Sequence, residues 1–147
     1  AAAKIYQRKL DCLELGNLDA KRDWGFAGDY VEGMHLILQH DKPDDFVLAT
    51  GKQYSVKYFI ECCLDTLGIS YNWTGAGLDE KCLDTRNGRV IVEIDPNYFR
   101  PAEVETLLGD ASKAKRILGW EPKITFENLV LEMMESDMNL AKGTMAK

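Results

Sequence analysis

The sequence predicts an α/β fold, and three observations carry that prediction. Apolar residues recur with helical spacing in several separate stretches. Between them lie short runs of strand type, one alternating with period two. No strict strand–helix–strand repeat joins them, so the order is mixed. There is no internal repeat and no low-complexity segment.

The elements follow in order. Residues 10–15 read as a short strand leading into a loop that carries an arginine. Across residues 27–40, Ala27, Tyr30, Val31, Met34, Ile37 and Leu38 fall at helical intervals and predict one apolar helix face. Lys42-Pro43-Asp44-Asp45 breaks that helix. Residues 46–50 form a compact apolar run ended by Gly51 and read as a buried strand. Ser55 is placed to cap a second helix with Val56, Phe59, Ile60, Cys63, Leu64 and Leu67 on one face, stopped by Gly68. Residues 71–73 read as a short strand and residues 74–88 as a loop. Residues 89–95 alternate, with Val90, Val92 and Ile94 on one side, as a half-buried strand does. Asp110 opens a short helix ending near Leu118 and Gly119, and Pro122 bars its continuation. Thr125 caps a last helix striped by Phe126, Leu129, Val130, Met133 and Met134. Residues 142–147 read as a flexible tail.

Composition narrows the function classes. The 147 residues are 46% hydrophobic, enough for one compact domain with a real core. A net charge of −6 argues against a nucleic-acid binder, which normally presents a basic face. No apolar run is long enough to cross a bilayer, and the N-terminus lacks the apolar core of a signal peptide. A soluble, cytoplasmic protein is the expectation. Cys12, Cys62, Cys63 and Cys82 form no C-x-x-C pair, so neither zinc spacing nor a secreted disulfide framework is present. Cys63 sits on an apolar stripe and reads as a buried thiol rather than a nucleophile.

Two arginine-centred segments carry the chemistry. In Gly16-Asn17-Leu18-Asp19-Ala20-Lys21-Arg22-Asp23-Trp24-Gly25, Asn17 suits a base or sugar hydroxyl and Arg22 suits a phosphate. The plainer reading has Lys21 solvated and Arg22 paired with Asp19 or Asp23. In Asp95-Pro96-Asn97-Tyr98-Phe99-Arg100-Pro101-Ala102-Glu103-Val104-Glu105, Pro101 biases Arg100 toward an extended conformation. Glu103 suits either orienting Arg100 or accepting from ribose hydroxyls. Its plainer role, with Glu105, is to favour the positive end of a helix that starts at Pro101. A guanidinium grips a phosphate bidentately where lysine cannot, so two such groups brought together suit a diphosphate. Trp24, Trp73 and Trp120 read as packing residues, and Asp44, Asp45, Asp79 and Glu80 as solvated turn acids. His35 and His40 share no helix face for a metal, and neither G-x-G-x-x-G nor a P-loop is present.

The run of residues 15–25, with Asp29-Tyr30-Val31-Glu32, Ala49-Thr50-Gly51, Ser55-Val56, Tyr98-Phe99-Arg100-Pro101 and Gly119-Trp120-Glu121-Pro122 in order, resembles the GDP-mannose 4,6-dehydratase family of extended short-chain dehydrogenases/reductases. The resemblance covers nearly the whole chain and corresponds to the C-terminal portion of the family. It implies a Rossmann NADP domain followed by a smaller substrate domain. It also implies conversion of GDP-mannose to GDP-4-keto-6-deoxymannose, the first step towards GDP-fucose and related deoxysugars. NADP takes hydride from sugar C4 and returns it at C6, while a tyrosine base and a glutamate move the protons.

Those catalytic and cofactor-binding groups lie upstream of this chain in the family, so the resemblance assigns no catalytic, cofactor or metal residue here. It does place Arg22 and Arg100 as diphosphate ligands and Glu103 as the ribose partner. Asn17 and Lys21 fall in a loop near the nucleotide. Residues 1–141 then form the nucleotide-sugar-binding portion, with 10–50 packing against or completing the Rossmann domain. A dimer or tetramer is the family's assembly. Phe26 departs from the family's usual histidine, and Gly28 from a longer side chain. Two other classes fit the residues as well: a non-catalytic nucleotide-sugar-binding or assembly module, and the same half of an epimerase or another dehydratase. If a partner domain is absent, the apolar stripes of the two central helices should be exposed.

Overall fold

The computed structural model describes residues 1–100 and 106–143. The elements run α1 (Ala2–Tyr6), β1 (Leu13–Leu15), β2 (Lys21–Arg22), α2 (Ala27–Gln39), β3 (Tyr54–Ser55), α3 (Val56–Thr66) and β4 (Tyr71–Thr74). A 3-10 turn at Gly77–Asp79 precedes β5 (Lys81–Asp84), β6 (Arg89–Ile94), α4 (Ser112–Leu118) and α5 (Phe126–Lys142). The chain divides into two compact units, residues 1–20, 55–103 and 130–147, and residues 21–54 and 104–129.

The first unit is built on a four-stranded sheet in the order β1-β6-β5-β4. β1 runs parallel to β6, and the other two pairings are antiparallel. β6 is therefore an interior strand, and Ile91 and Val92 are buried on opposite faces. α3 covers the sheet with Ile60 and Leu64, which pack among Val92, Ile94, Cys82 and Ile69. The expected cap of α3 is present: Ser55 Oγ accepts from the Tyr58 amide at 3.0 Å. Gly68 ends the helix at φ +64°, a conformation that favours glycine. α1 has no counterpart among the expected elements, yet Ala3 and Ile5 are buried.

β5 corrects the reading of residues 74–88 as a loop. Its inward positions are Cys82 and Asp84, and an inward carboxylate hides the period-two signal. Asp84 tolerates burial because its hydrogen bonds are met. Oδ1 accepts from the Arg86 amide at 2.9 Å and from Arg86 Nε at 3.0 Å. Oδ2 accepts from Arg86 Nη2 at 2.9 Å and Asn87 Nδ2 at 3.1 Å. The Arg86 hydrogen bond holds this carboxyl below its ordinary value. A depressed folded pKa contributes stability that is complete above the unfolded value, about 4, and is lost as pH falls through the folded value. The stability gap between wild type and Asp84→Asn should therefore be constant above about pH 5 and shrink below about pH 4. Urea melts across that range test it, and a pH-independent gap would contradict the assignment.

In the second unit, α2 lies where expected, but its buried face is not the apolar stripe. Asp29 and Gly33 are the buried residues. Val31, Met34 and Leu38 are 62%, 57% and 80% exposed. Gly33 sets this orientation, since a Cβ there would lie 2.7 Å from Leu48 Cδ1 and 2.9 Å from the Trp120 indole nitrogen. A side chain there would have to displace Leu48 and Trp120. The second expected stripe, on α3, is instead consumed in the core of the first unit. Residues 46–50 are not a ladder strand: they carry no strand pairing in the structure, and Val47 is 52% exposed while Ala49 is buried.

α4 begins two residues after Asp110, whose carboxylate accepts from the Ser112 amide at 2.9 Å. It ends at Gly119, φ +68°. Thr125 Oγ1 accepts from the Asn128 amide at 3.3 Å and caps α5. α5 continues through Lys142, which corrects the start of the flexible tail; residues 144–147 lie outside the described residues. All four cysteines are free. Burial pushes the Cys63 thiol up to about 11 and the Cys82 thiol up to about 12, which fits inert packing thiols. No helix among the described residues is long and apolar enough to cross a membrane.

Candidate functional site

The parallel pair brings the first residues of the two arginine-bearing segments, Gly16-Asn17 and residues 95–100, to one end of the four-stranded sheet. Leu15 pairs with Ile94, so the chain leaves β1 and β6 in the same direction. The Leu15 carbonyl then accepts from the Asp95 amide at 2.8 Å. Gly16 lies directly under the Tyr98 backbone, where any Cβ would overlap the Tyr98 carbonyl oxygen. Glycine is what permits this approach.

Each segment is held by local bonds. Asp95 Oδ1 accepts from the Asn97 amide at 2.8 Å and Nδ2 at 2.9 Å, closing a turn. Phe99 packs on the core of the first unit, and Arg100, next in the chain, is exposed. In the other segment Leu18 and Ala20 are buried, and their carbonyls accept from the Lys57 and Val56 amides at 2.9 and 3.1 Å. Asn17 Oδ1 accepts from the Asp19 amide at 2.9 Å, which orients the amide and commits one of its acceptor lone pairs. Segments leaving the carboxyl ends of adjacent parallel strands are where open α/β sheets bind ligands. Asn17 and Arg100 both belong to such segments. Glu103, Pro101 and Glu105 lie outside the described residues.

Lys21 and Arg22 belong to the second unit and are extended rather than looped, forming β2 in a two-stranded sheet with β3. Lys21 also makes a parallel bridge to Thr106. Arg22 Nη1 donates to the Lys21 carbonyl at 2.8 Å. With Trp24 and Tyr30, Arg22 lines a groove of about 490 Å³. Burial, reinforced by Asp23 and Asp29, raises the Tyr30 phenol above its ordinary value.

The residue that composition undervalued is Asp23. Its Oδ1 accepts from the Thr50 amide at 2.9 Å and from the Thr50 hydroxyl at 2.5 Å. Its Oδ2 accepts from the Gly51 amide at 2.9 Å. This clamp shapes one wall of a cleft of about 590 Å³ that also carries Tyr54, Lys52, Lys115 and Phe126. Phe126 stacks on Tyr54 at 4.1 Å and on Trp24 at 5.8 Å. No spacing rule links Asp23 to Thr50, so the clamp has no signal in a single sequence.

The remaining candidates are structural. Trp120 is 2% exposed and donates to the Asp29 carbonyl at 2.7 Å. Trp73 donates to Glu61 at 2.9 Å. Glu80, read as solvated, is instead half-buried and paired with Lys57 at 2.6 Å, while Asp44 is exposed as expected and also pairs with Lys113 at 2.6 Å. The ring of Phe26 occupies the space a side chain at Gly28 would need. Among the described residues no group of three or more His, Cys, Asp or Glu side chains is placed to hold a metal.

Comparison with known proteins identifies the family. The family model for GDP-mannose 4,6 dehydratase matches residues 1–133. GDP-mannose 4,6 dehydratase of Drosophila melanogaster is 49% identical over 142 residues, covering 97% of this chain and 36% of the relative. The enzyme of that name from Vibrio cholerae is 50% identical over 150 residues, covering 95% and 40%. The human one is 48% identical over 144 residues, covering 97% and 38%. The chain thus spans well under half the length of these relatives. Among solved structures, RMD from Pseudomonas aeruginosa complexed with NADPH superposes with a TM-score of 0.73 at 18% identity, covering 95% of this chain and 40% of that one. The dTDP-glucose 4,6-dehydratase of Bacillus anthracis gives a TM-score of 0.67 at 17% identity, covering 91% and 36%.

Proposed function

The chain belongs to the GDP-mannose 4,6-dehydratase family, and on that premise we propose that it is the GDP-sugar-binding portion of an enzyme converting GDP-mannose to GDP-4-keto-6-deoxymannose. The observation that carries this reading is the shared edge of β1 and β6, from which the Asn17 and Arg100 segments leave together. Arg22 and Arg100 act as phosphate ligands, Asn17 and Lys21 contact the nucleotide, and Glu103 accepts from the ribose. The work of these residues is binding and orientation. They hold the diphosphate so that the sugar is presented to groups on the rest of the enzyme.

The parent enzyme uses a nicotinamide cofactor, NADP, which supplies hydride transfer when bound. The described residues of this chain do not fit that cofactor. A dinucleotide cradle needs a glycine-rich turn from a strand into a helix N-terminus. Here β1 passes through Gly16 into the extended β2 rather than into a helix N-terminus. The cofactor belongs to residues outside this chain, and residues 10–50 pack against them. The exposed Val31, Met34 and Leu38 stripe of α2 supports that packing. The parent works in the cytoplasm as a dimer or tetramer.

Two measurements test the reading. The purified chain with NADP and GDP-mannose should show no dehydration while still binding GDP in a calorimetric titration. Turnover on the order of 1 per second would overturn the assignment of the chemistry to residues elsewhere. The chain should also bind a hydrophobic dye, and Leu38→Lys should reduce the signal without changing the melting temperature. A dye-silent monomer at high concentration would argue for a self-standing module instead.

A further inference from the structure

A second cavity, in the first unit, has a composition unlike the rest of this acidic chain. It measures about 490 Å³ and is floored by Ile5, Ile69 and Ile91. Arg8, Arg86 and Arg89, half of the six arginines in a sequence of net charge −6, line it with a single acid, Asp84. The size lies within the usual range of small-molecule pockets, about 300–1,000 Å³.

The three guanidinium groups are held differently. Arg86 is fixed by the buried Asp84 through Nε and Nη2, leaving Nη1 outside that pair. Arg89 Nη2 donates to Asp11 at 2.8 Å, and the Asp11 side chain is 99% exposed, so this pair is a weak, solvated one. Arg8 has no ion pair among the described residues. Its backbone is also unusual. The amides of Gln7, Arg8 and Lys9 donate to the carbonyls of Ala3, Ile5 and Lys4, closing the end of α1 with Arg8 at φ +54°. That position ordinarily takes glycine, and Arg8 is the one described non-glycine residue with positive φ. Glycine would serve the turn better, so the turn itself does not account for an arginine there.

We propose that this cavity binds a small oxyanion carried on an apolar body, a phosphomonoester or a carboxylate, with Arg8 and Arg89 gripping the anion and the isoleucine floor taking the body. Charge-assisted bonds from planar guanidinium groups suit either oxyanion, and the apolar floor favours an organic ligand over the bare ion.

The test is calorimetric titration of the intact chain with phenyl phosphate, benzoate and inorganic phosphate, on wild type, Arg8→Gly and Arg89→Gln. Arg86 is left alone, because removing it would strand the buried Asp84. Arg8→Gly relieves the positive φ, so its melting temperature should hold or rise. Phenyl phosphate or benzoate should bind more tightly than inorganic phosphate, and which of the two is tighter decides the anion. Each variant should weaken that binding roughly tenfold, and added salt should weaken it further. Absence of binding at millimolar ligand, or binding unchanged in both folded variants, would overturn the proposal. GDP should bind both variants as it binds wild type, so failure here is separate from failure of the nucleotide-sugar reading.

Discussion

Asp29→Ala is expected to destabilise the second unit by roughly 3 kcal/mol, more than any surface change in this chain. Asp29 is 5% exposed on the inner face of α2. Its Oδ2 accepts from the Lys123 amide at 2.9 Å and the Ile124 amide at 3.0 Å. One carboxylate oxygen thus secures the turn between α4 and α5, just after Pro122. Alanine would leave two part-buried donors without their partner, and each such orphan costs about 1–3 kcal/mol. Asp29→Asn keeps an acceptor of the same shape and should lose about half as much. Hydrogen exchange at the Lys123 and Ile124 amides reads the effect locally. These amides should lose protection in the alanine variant ahead of the core of the first unit. A loss below about 0.5 kcal/mol would place the turn's stability elsewhere.

Arg100→Ala is expected to weaken GDP binding by roughly tenfold to a hundredfold. Arg100 is exposed and follows the turn closed by Asp95, so its removal opens no cavity and should leave the melting temperature within about a degree. Arg100→Lys should recover only part of the affinity, because lysine keeps the charge but loses the bidentate fork. Arg22→Ala should act in the same direction. The competing role, a clamp with Glu103 or Glu105 at a helix start, makes the opposite forecast. On that view alanine lowers stability and leaves the affinity of the folded fraction intact. Calorimetric titration beside thermal melts separates the two.

The architecture was readable wherever a local rule and burial agree. Ser55 and Gly68 bracket α3, Thr125 starts α5 and Gly119 ends α4, and each does so through its own backbone or hydroxyl. The alternation of β6 was also legible, although its interior place in the sheet buries both faces. β5 was lost because its inward Asp84 is neutralised by Arg86, a partner two residues on that pattern reading treats as turn. The stripe of α2 is exposed, as expected of a face that meets another domain, but the face that packs within the unit had no apolar signal. Helical periodicity says that one face is apolar, but not what will cover it. Gly33, silent in any hydrophobicity count, turned out to be the contact face because Leu48 and Trp120 fill the space beside it.

The candidate site divides along the same line. Residue types and motif wording were enough to single out Asn17, Lys21, Arg22, Arg100 and Glu103 and to identify the family, because charge, planarity and turn chemistry are properties of individual side chains. That the Gly16 and Tyr98 backbones meet depends on β1 pairing parallel with β6 across more than 70 intervening residues. The Asp23 clamp on Thr50 and Gly51 likewise joins positions with no shared period. Long-range pairing is settled by the collective burial of Leu64, Val92, Ile94 and their neighbours rather than by any one residue. A linear reading therefore yields candidate residues, and packing alone supplies the adjacency of the Gly16 and Tyr98 backbones.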